Sequence, residues 1–163
     1  MDNVCEKGKT LFYWFIAGAL LLAMPTAVYA GKKPPVPKTV TGVKIISHDK
    51  LKSMLETKKL GSDFFIYDSR KASDYEAGRI SGAVHLPVPG KPDLGATETK
   101  KAVDKMSGKL PSDKSKMIVF YCNGLRCWRS PKASKAAVSM GYSNVGWLRD
   151  GFPEWQKKGY PVE

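Results

Sequence analysis

The chain has 163 residues, 42% of them hydrophobic and 26% charged, a balance that suits one modest folded domain and excludes a tandem pair. Lys and Arg number 27 against 15 Asp and Glu, and the formal charge of +12 favours anionic partners: small oxyanions, acidic proteins, anionic lipid or nucleic acid. No basic tract is interleaved with aromatics, so a nucleic-acid face is not expected, and the downstream cysteines Cys122 and Cys127, with no histidine beside them, fall short of a zinc set.

Lys7 and Lys9 precede an apolar run over residues 11–24 that Pro25 breaks, and Val28-Tyr29-Ala30 then offers compact residues at the usual cleavage positions. The run fits the ~7–15 residues of a signal-peptide core. Residues 1–30 are therefore expected to be an export signal cleaved after Ala30. An uncleaved membrane anchor is the alternative, because residues 11–30 just reach the ~20 needed to span a bilayer. Export places the domain in the periplasm, with secretion or anchoring on the outer face as alternatives. Cys5 leaves with the presequence, and the remaining cysteines, Cys122 and Cys127, can pair in an oxidising compartment. Residues 31–42, with Pro34, Pro35 and Pro37 among lysines, read as a stiff extended linker.

The expected domain covers residues 43–163. A short strand is predicted over residues 43–46, then a helix capped by Asp49 and running to about Glu56, with Leu51, Met54 and Leu55 inward. The run Phe64-Phe65-Ile66-Tyr67 is continuously apolar, as in a parallel strand buried on both faces. A third strand covers residues 83–86 and stops at Pro87. Residues 88–116 are lysine-rich and broken by Pro and Gly, with one helix over roughly 98–106. Residues 117–121 form the fourth strand. Ser130 and Pro131 read as N-cap and first-turn proline of a helix whose packing face is Ala133, Ala136, Ala137 and Met140, ended by Gly141. Residues 145–148 make the last strand and residues 152–158 a closing helix. Strands alternating with helices, and no internal repeat, predict an α/β fold: about five parallel strands covered by helices on both faces.

The chemistry concentrates where the fourth strand ends. The apolar run Met117-Ile118-Val119-Phe120-Tyr121 stops at Cys122, the polar turn Asn123-Gly124-Leu125-Arg126-Cys127-Trp128-Arg129 follows, and a helix begins at Ser130. A thiol at the carboxyl end of a buried strand, facing a helix N-terminus, lies where α/β sheets build anion sites. It is expected to ionise more easily than a free thiol and to act as a nucleophile.

Two further stretches carry a resemblance. Asp68-Ser69-Arg70 through Gly78-Arg79-Ile80-Ser81-Gly82-Ala83-Val84-His85-Leu86-Pro87 is similar to the first signature of the rhodanese-like family. Gly141-Tyr142-Ser143-Asn144-Val145 with Leu148-Arg149-Asp150-Gly151-Phe152-Pro153-Glu154-Trp155 and Gly159-Tyr160-Pro161-Val162 is similar to its last. Cys122 stands where that family keeps its catalytic cysteine. The resemblance implies a sulfurtransferase that takes sulfane sulfur from a donor such as thiosulfate, holds it as a Cys122 persulfide, and passes it to a thiophilic acceptor, with no metal or organic cofactor. On that reading the amides of Asn123, Gly124, Leu125, Arg126, Cys127, Trp128, Arg129 and Ser130 curl round the sulfur, and Arg126 and Arg129 bind the anionic donor. Asp68 and Arg70 support the signature turn, and Asp74 is available to pair with Arg70.

The loop departs from the family by about two extra residues, which bring in Cys127 and Trp128. A phosphatase relative would carry arginine where Trp128 stands, which argues against tight phosphate binding. Cys127 is open to two roles, a spectator or a resolving thiol that attacks a Cys122 persulfide. The alternatives to sulfur transfer are thus a thiol–disulfide redox enzyme using Cys122 and Cys127, and a non-catalytic sulfur carrier or interaction module docking an acidic exported protein. Membrane contact is expected only if the N-terminal segment is retained. His85 is expected to be a core or edge histidine, His48 to be exposed, Trp128 to shield the thiol or meet a partner, and Trp147 and Trp155 to lie in the core.

Overall fold

The computed structural model describes residues 34–163. The expected export segment, residues 1–30, and the first residues of the linker lie outside them. Five strands and five helices follow in sequence: β1 (Val43–Ile45), α1 (His48–Thr57), β2 (Phe64–Asp68), α2 (Ala72–Glu76), β3 (Val84–His85), α3 (Ala96–Met106), β4 (Met117–Tyr121), α4 (Arg129–Ser139), β5 (Val145–Leu148) and α5 (Gly151–Lys157). The strands form one parallel sheet in the order β1-β5-β4-β2-β3. The predicted α/β architecture is therefore the observed one.

Pleating sends alternate side chains of each strand to opposite faces. Ile118 and Phe120 of β4 pack with Ala102 and Met106 of α3 and with Ala133, Ala136 and Ala137 of α4. Val119 and Tyr121 pack on the other face with Leu51 and Met54 of α1 and with Phe152 and Trp155 of α5. Both faces of the central strands are thus closed to water, which is why their sequences are continuously apolar. The register sets Phe65 opposite Ile118 and Asp68 opposite Tyr121. From β2 the chain moves outward to β3, and from β4 it moves the opposite way to β5. The boundary between β2 and β4 is therefore the switch point of the sheet, where α/β folds bind ligands at the strands' carboxyl ends.

Several local expectations are corrected. Ser47, not Asp49, caps α1, its Oγ accepting from the Lys50 N–H at 3.2 Å; Asp49 falls in the first turn. Leu55 is only half-buried. The short helix α2 was not anticipated because it buries no side chain and so leaves no periodic apolar signal. Strand β3 has two residues rather than four. Helix α4 begins at Arg129 with Trp128 at its cap position, so Ser130 and Pro131 lie inside the first turn. The Ser130 hydroxyl is spent inside the core instead of on the helix end. The proline-rich linker is not a free spacer over its described length, since Val36 and Val40 are buried against Trp147.

Candidate active site

Strand β4 delivers Cys122 to the switch point and then turns sharply. Gly124 adopts φ +92°, and the Cys127 N–H donates to the Gly124 carbonyl at 2.9 Å. The turn between β5 and α5 packs against this loop backbone to backbone. The Phe152 N–H donates to the Cys122 carbonyl at 2.9 Å, and a Cβ on Gly151 would stand 2.2 Å from that same oxygen. A Cβ on Gly124 would stand 2.7 Å from the Asp150 carbonyl oxygen. Both glycines combine positive φ with contact that admits no side chain. Asn123 Nδ2 donates to Asp74 Oδ2 at 3.0 Å, which ties the loop to α2.

The two sulfurs of the loop differ sharply in surroundings. Cys122 is 1% exposed. Its Sγ lies 2.8 Å from Ser130 Oγ and 3.5 Å from the Cys127 carbonyl oxygen. Trp147 Nε1–H donates to the same Ser130 oxygen at 2.9 Å, and since indole only donates, the Ser130 hydroxyl proton is free to point at Cys122. Burial, with Cys127 as neighbour, nonetheless holds the Cys122 thiol well above its ordinary pKa. Cys127 is half-buried, and its pKa falls to about 6. The Cys122 thiol stabilises its anion first, and the backbone N–H groups of Arg129 and Asn123 and the Arg129 charge add to this. Depth in the core thus opposes the easy ionisation expected of Cys122, while the shallower Cys127 keeps the amides and the Arg129 charge that favour its anion.

The loop separates two clefts. One, of about 280 Å³, is lined by Gly90, Pro92, Asn123, Arg126, Cys127 and Arg129 among others. The other, of about 710 Å³, lies between the loop and α1 and α5, with His48, Leu125, Arg126, Glu154 and Lys157 on its walls. The smaller cleft is roofed by the segment before α3. Arg129 lies across Gly90, where a Cβ would come 2.3 Å from the guanidinium Nη1. That segment is pinned from beneath by Lys132, which is fully buried and donates to the Lys91 carbonyl at 3.0 Å and to Glu98 Oε2 at 2.9 Å. Lys132 was missed from sequence because a lysine beside an alanine face reads as a solvated charge. Only the tertiary fold supplies the buried carboxylate it answers.

Asp68 and Arg70 form a buried ion pair, with Arg70 Nε and Nη2 donating to Asp68 Oδ2 at 2.9 and 2.6 Å. Arg70 also donates to the Gly78 carbonyl, and its guanidinium carbon lies 4.3 Å from the centre of the Phe152 ring. Neither residue lines either cleft. They brace the β2–α2 turn that holds Asp74 against Asn123. Asp74 therefore pairs with the cysteine loop and not with Arg70. His85 is half-buried at the sheet edge, stacked on Tyr75 at 4.5 Å. His48, expected to be exposed, is buried and its Nε2–H donates to the Gly151 carbonyl at 2.9 Å. Trp147 and Trp155 are fully buried, and half-buried Trp128 packs with the Val36–Val40–Trp147 group. Leu125 is 51% exposed and lines the larger cleft, whereas exposed Arg126 lines both.

Comparison with known proteins agrees with this fold. Residues 47–158 match the rhodanese-like domain family. A crystal structure of the Alr3790 protein from Anabaena is 30% identical with a TM-score of 0.56, covering 72% of this chain and 90% of that one. The RPA3614 protein from Rhodopseudomonas palustris, described as a possible tyrosine phosphatase, is 25% identical with a TM-score of 0.53, covering 78% of this chain and 99% of that one. Among curated proteins, the HTH-type transcriptional regulator Rv0324 of Mycobacterium tuberculosis is 32% identical over 98 residues, 60% of this chain and 37% of the regulator. The tRNA uridine(34) hydroxylase of Yersinia enterocolitica is 33% identical over 97 residues, 59% of this chain and 25% of the hydroxylase. The match thus spans well under half the length of these curated relatives.

Proposed function

The chain belongs to the rhodanese-like domain family, and on that premise we propose that it is a sulfurtransferase, moving sulfane sulfur from a small anionic donor such as thiosulfate to a thiophilic acceptor through a persulfide on Cys122. The observation that carries this reading is the pair of adjacent cysteines at the β4 switch point, beside a small cleft walled by Arg126 and Arg129. Guanidinium N–H groups match the oxygens of an anionic donor. The burial of Cys122, whose sulfur faces the Ser130 hydroxyl, supports the reading because a sulfane atom held there is kept from water. The reading includes export to an oxidising compartment through residues 1–30 and an acceptor that is a small thiophile or an acidic exported protein. Among the described residues no helix is long and apolar enough to cross a membrane.

Thiosulfate and cyanide supplied together test it. The protein should form thiocyanate and sulfite catalytically, and the double variant Cys122→Ala/Cys127→Ala should form none while keeping its fold. A wild-type protein that yields no thiocyanate and gains no sulfur atom would sink the reading. The closeness of the two free cysteines, with Cys122 Sγ 3.5 Å from the Cys127 carbonyl oxygen, also supports a thiol–disulfide exchange enzyme. Reduction of a test disulfide without any sulfane donor is the result that would favour it.

A further inference from the structure

We propose that Cys127 is the thiol that receives sulfur from the donor, and that Cys122 takes the sulfur from Cys127 rather than from the donor itself. The inference rests on the sulfur-transfer reading above and assigns the order of events within it. Three observations support it. Cys127 lines the cationic cleft between Arg126 and Arg129, whereas Cys122 lines neither of the clefts beside the loop and is 1% exposed. The Cys122 sulfur lies 3.5 Å from the Cys127 carbonyl oxygen, a partner that accepts from a thiol and repels a thiolate. The Cys127 sulfur, by contrast, faces the N–H groups of Asn123 and Arg129 and the Arg129 charge, all of which favour an anion. A donor anion guided by the two arginines therefore meets the ionised sulfur first.

The chemistry balances without an added oxidant or reductant. The Cys127 thiolate attacks the sulfane sulfur of thiosulfate, the S–S bond of the donor breaks, and sulfite departs with the electron pair. Cys127 then carries a persulfide. The Cys122 sulfur attacks the outer atom of that persulfide as its proton passes to the same atom, and the S–S bond to Cys127 breaks with its electrons returning to Cys127. The products are a Cys122 persulfide and a regenerated Cys127 thiolate. Attack on the inner atom instead would expel sulfide and leave a Cys122–Cys127 disulfide. The Ser130 hydroxyl, held in place by Trp147, faces Cys122 and is positioned to bond the sulfur there as charge develops.

Trypsin cuts after Arg126, so the two cysteines fall in separate peptides and each can be weighed alone. Wild-type protein exposed briefly to thiosulfate and trapped with an alkylating agent should show sulfane sulfur on Cys127 at the earliest times and on Cys122 later. Cys122→Ser should still gain sulfane sulfur on Cys127, and Cys127→Ser should load Cys122 at least ~10-fold more slowly than wild type. Loading of Cys122 at the wild-type rate in Cys127→Ser overturns the proposal, as does stoichiometric sulfide release with a disulfide in place of the Cys122 persulfide. A measurement on the wild type alone guards against misfolded variants. At neutral pH and without donor, iodoacetamide should modify Cys127 at least ~10-fold faster than Cys122, and equal or reversed rates overturn the order. If neither cysteine gains sulfur in the wild type while Cys127 still alkylates faster, the sulfur-transfer reading falls and the ranking of the two thiols stands.

Discussion

Ser130 links the buried core to the reacting loop with one hydroxyl. It accepts from the Trp147 indole and faces the Cys122 sulfur, with no exposure to solvent of its own. Its replacement by alanine leaves the buried indole N–H unpaired, and an unsatisfied buried donor costs about 1–3 kcal/mol. Ser130→Ala is therefore expected to lower the unfolding free energy read from urea titration by that amount and to shift Trp147 fluorescence. The loss of the hydroxyl also removes the one side-chain donor that lowers the Cys122 pKa, so sulfur should settle on Cys122 more slowly in this variant while loading of Cys127 is unchanged. Peptide-resolved mass spectrometry separates the two effects. Sequence pattern had marked Ser130 as a helix cap, because a serine before a proline at a helix start reads that way. Its role in the core was hidden, since Trp147 is distant in sequence and meets it only through the sheet.

At the level of elements, the segment before α3 owes its position to a buried charge pair. Glu98 accepts from both Lys101 and Lys132, and these two bonds hold its carboxyl at a pKa of about 2. A carboxylate depressed on folding adds stability that is complete above its unfolded value and is lost as pH falls towards the folded one. Thermal midpoints should therefore drop between about pH 4.5 and 2, and Glu98→Gln should flatten that fall. An identical acid profile in the variant would show that the pair does not stabilise the fold. Because Lys132 also holds the Lys91 carbonyl, the same acid step should loosen the roof over Arg129. The elements themselves were largely readable. Continuous apolar runs marked β2 and β4, and the alanine spacing marked the face of α4. What went unread were α2 and the cap of α1, short features decided by hydrogen bonds and not by apolar period.

For the molecule as a whole, the proline-rich stretch before β1 belongs to the folded body. Val36 and Val40 cover Trp147, whose indole donates to the Ser130 hydroxyl beside Cys122. Truncating a buried valine to alanine removes about two methyl groups, worth about 1.5 kcal/mol at ~0.8 kcal/mol each. Val36→Ala and Val40→Ala should each lower stability by about that much in denaturant titrations, and an unaffected midpoint would show that this stretch only rests on the surface. A strip of polyproline character was readable from composition, but its two valines gave no hint that they find a tryptophan more than a hundred residues later.

The order of the strands and of every helix but α2, the faces they bury, the position of Cys122 at a strand's carboxyl end and the arginines beside it were all determined by local pattern, because each depends on residues within one turn or one strand of each other. The different depths of the two thiols, the buried partners of Ser130, Lys132 and His48, and the pairing of Asn123 with Asp74 were decided only by the tertiary structure. Ionisation and hydrogen bonding in a core depend on depth and on neighbours that the sheet brings together from distant parts of the chain, and neither quantity is written in the spacing of residues along it.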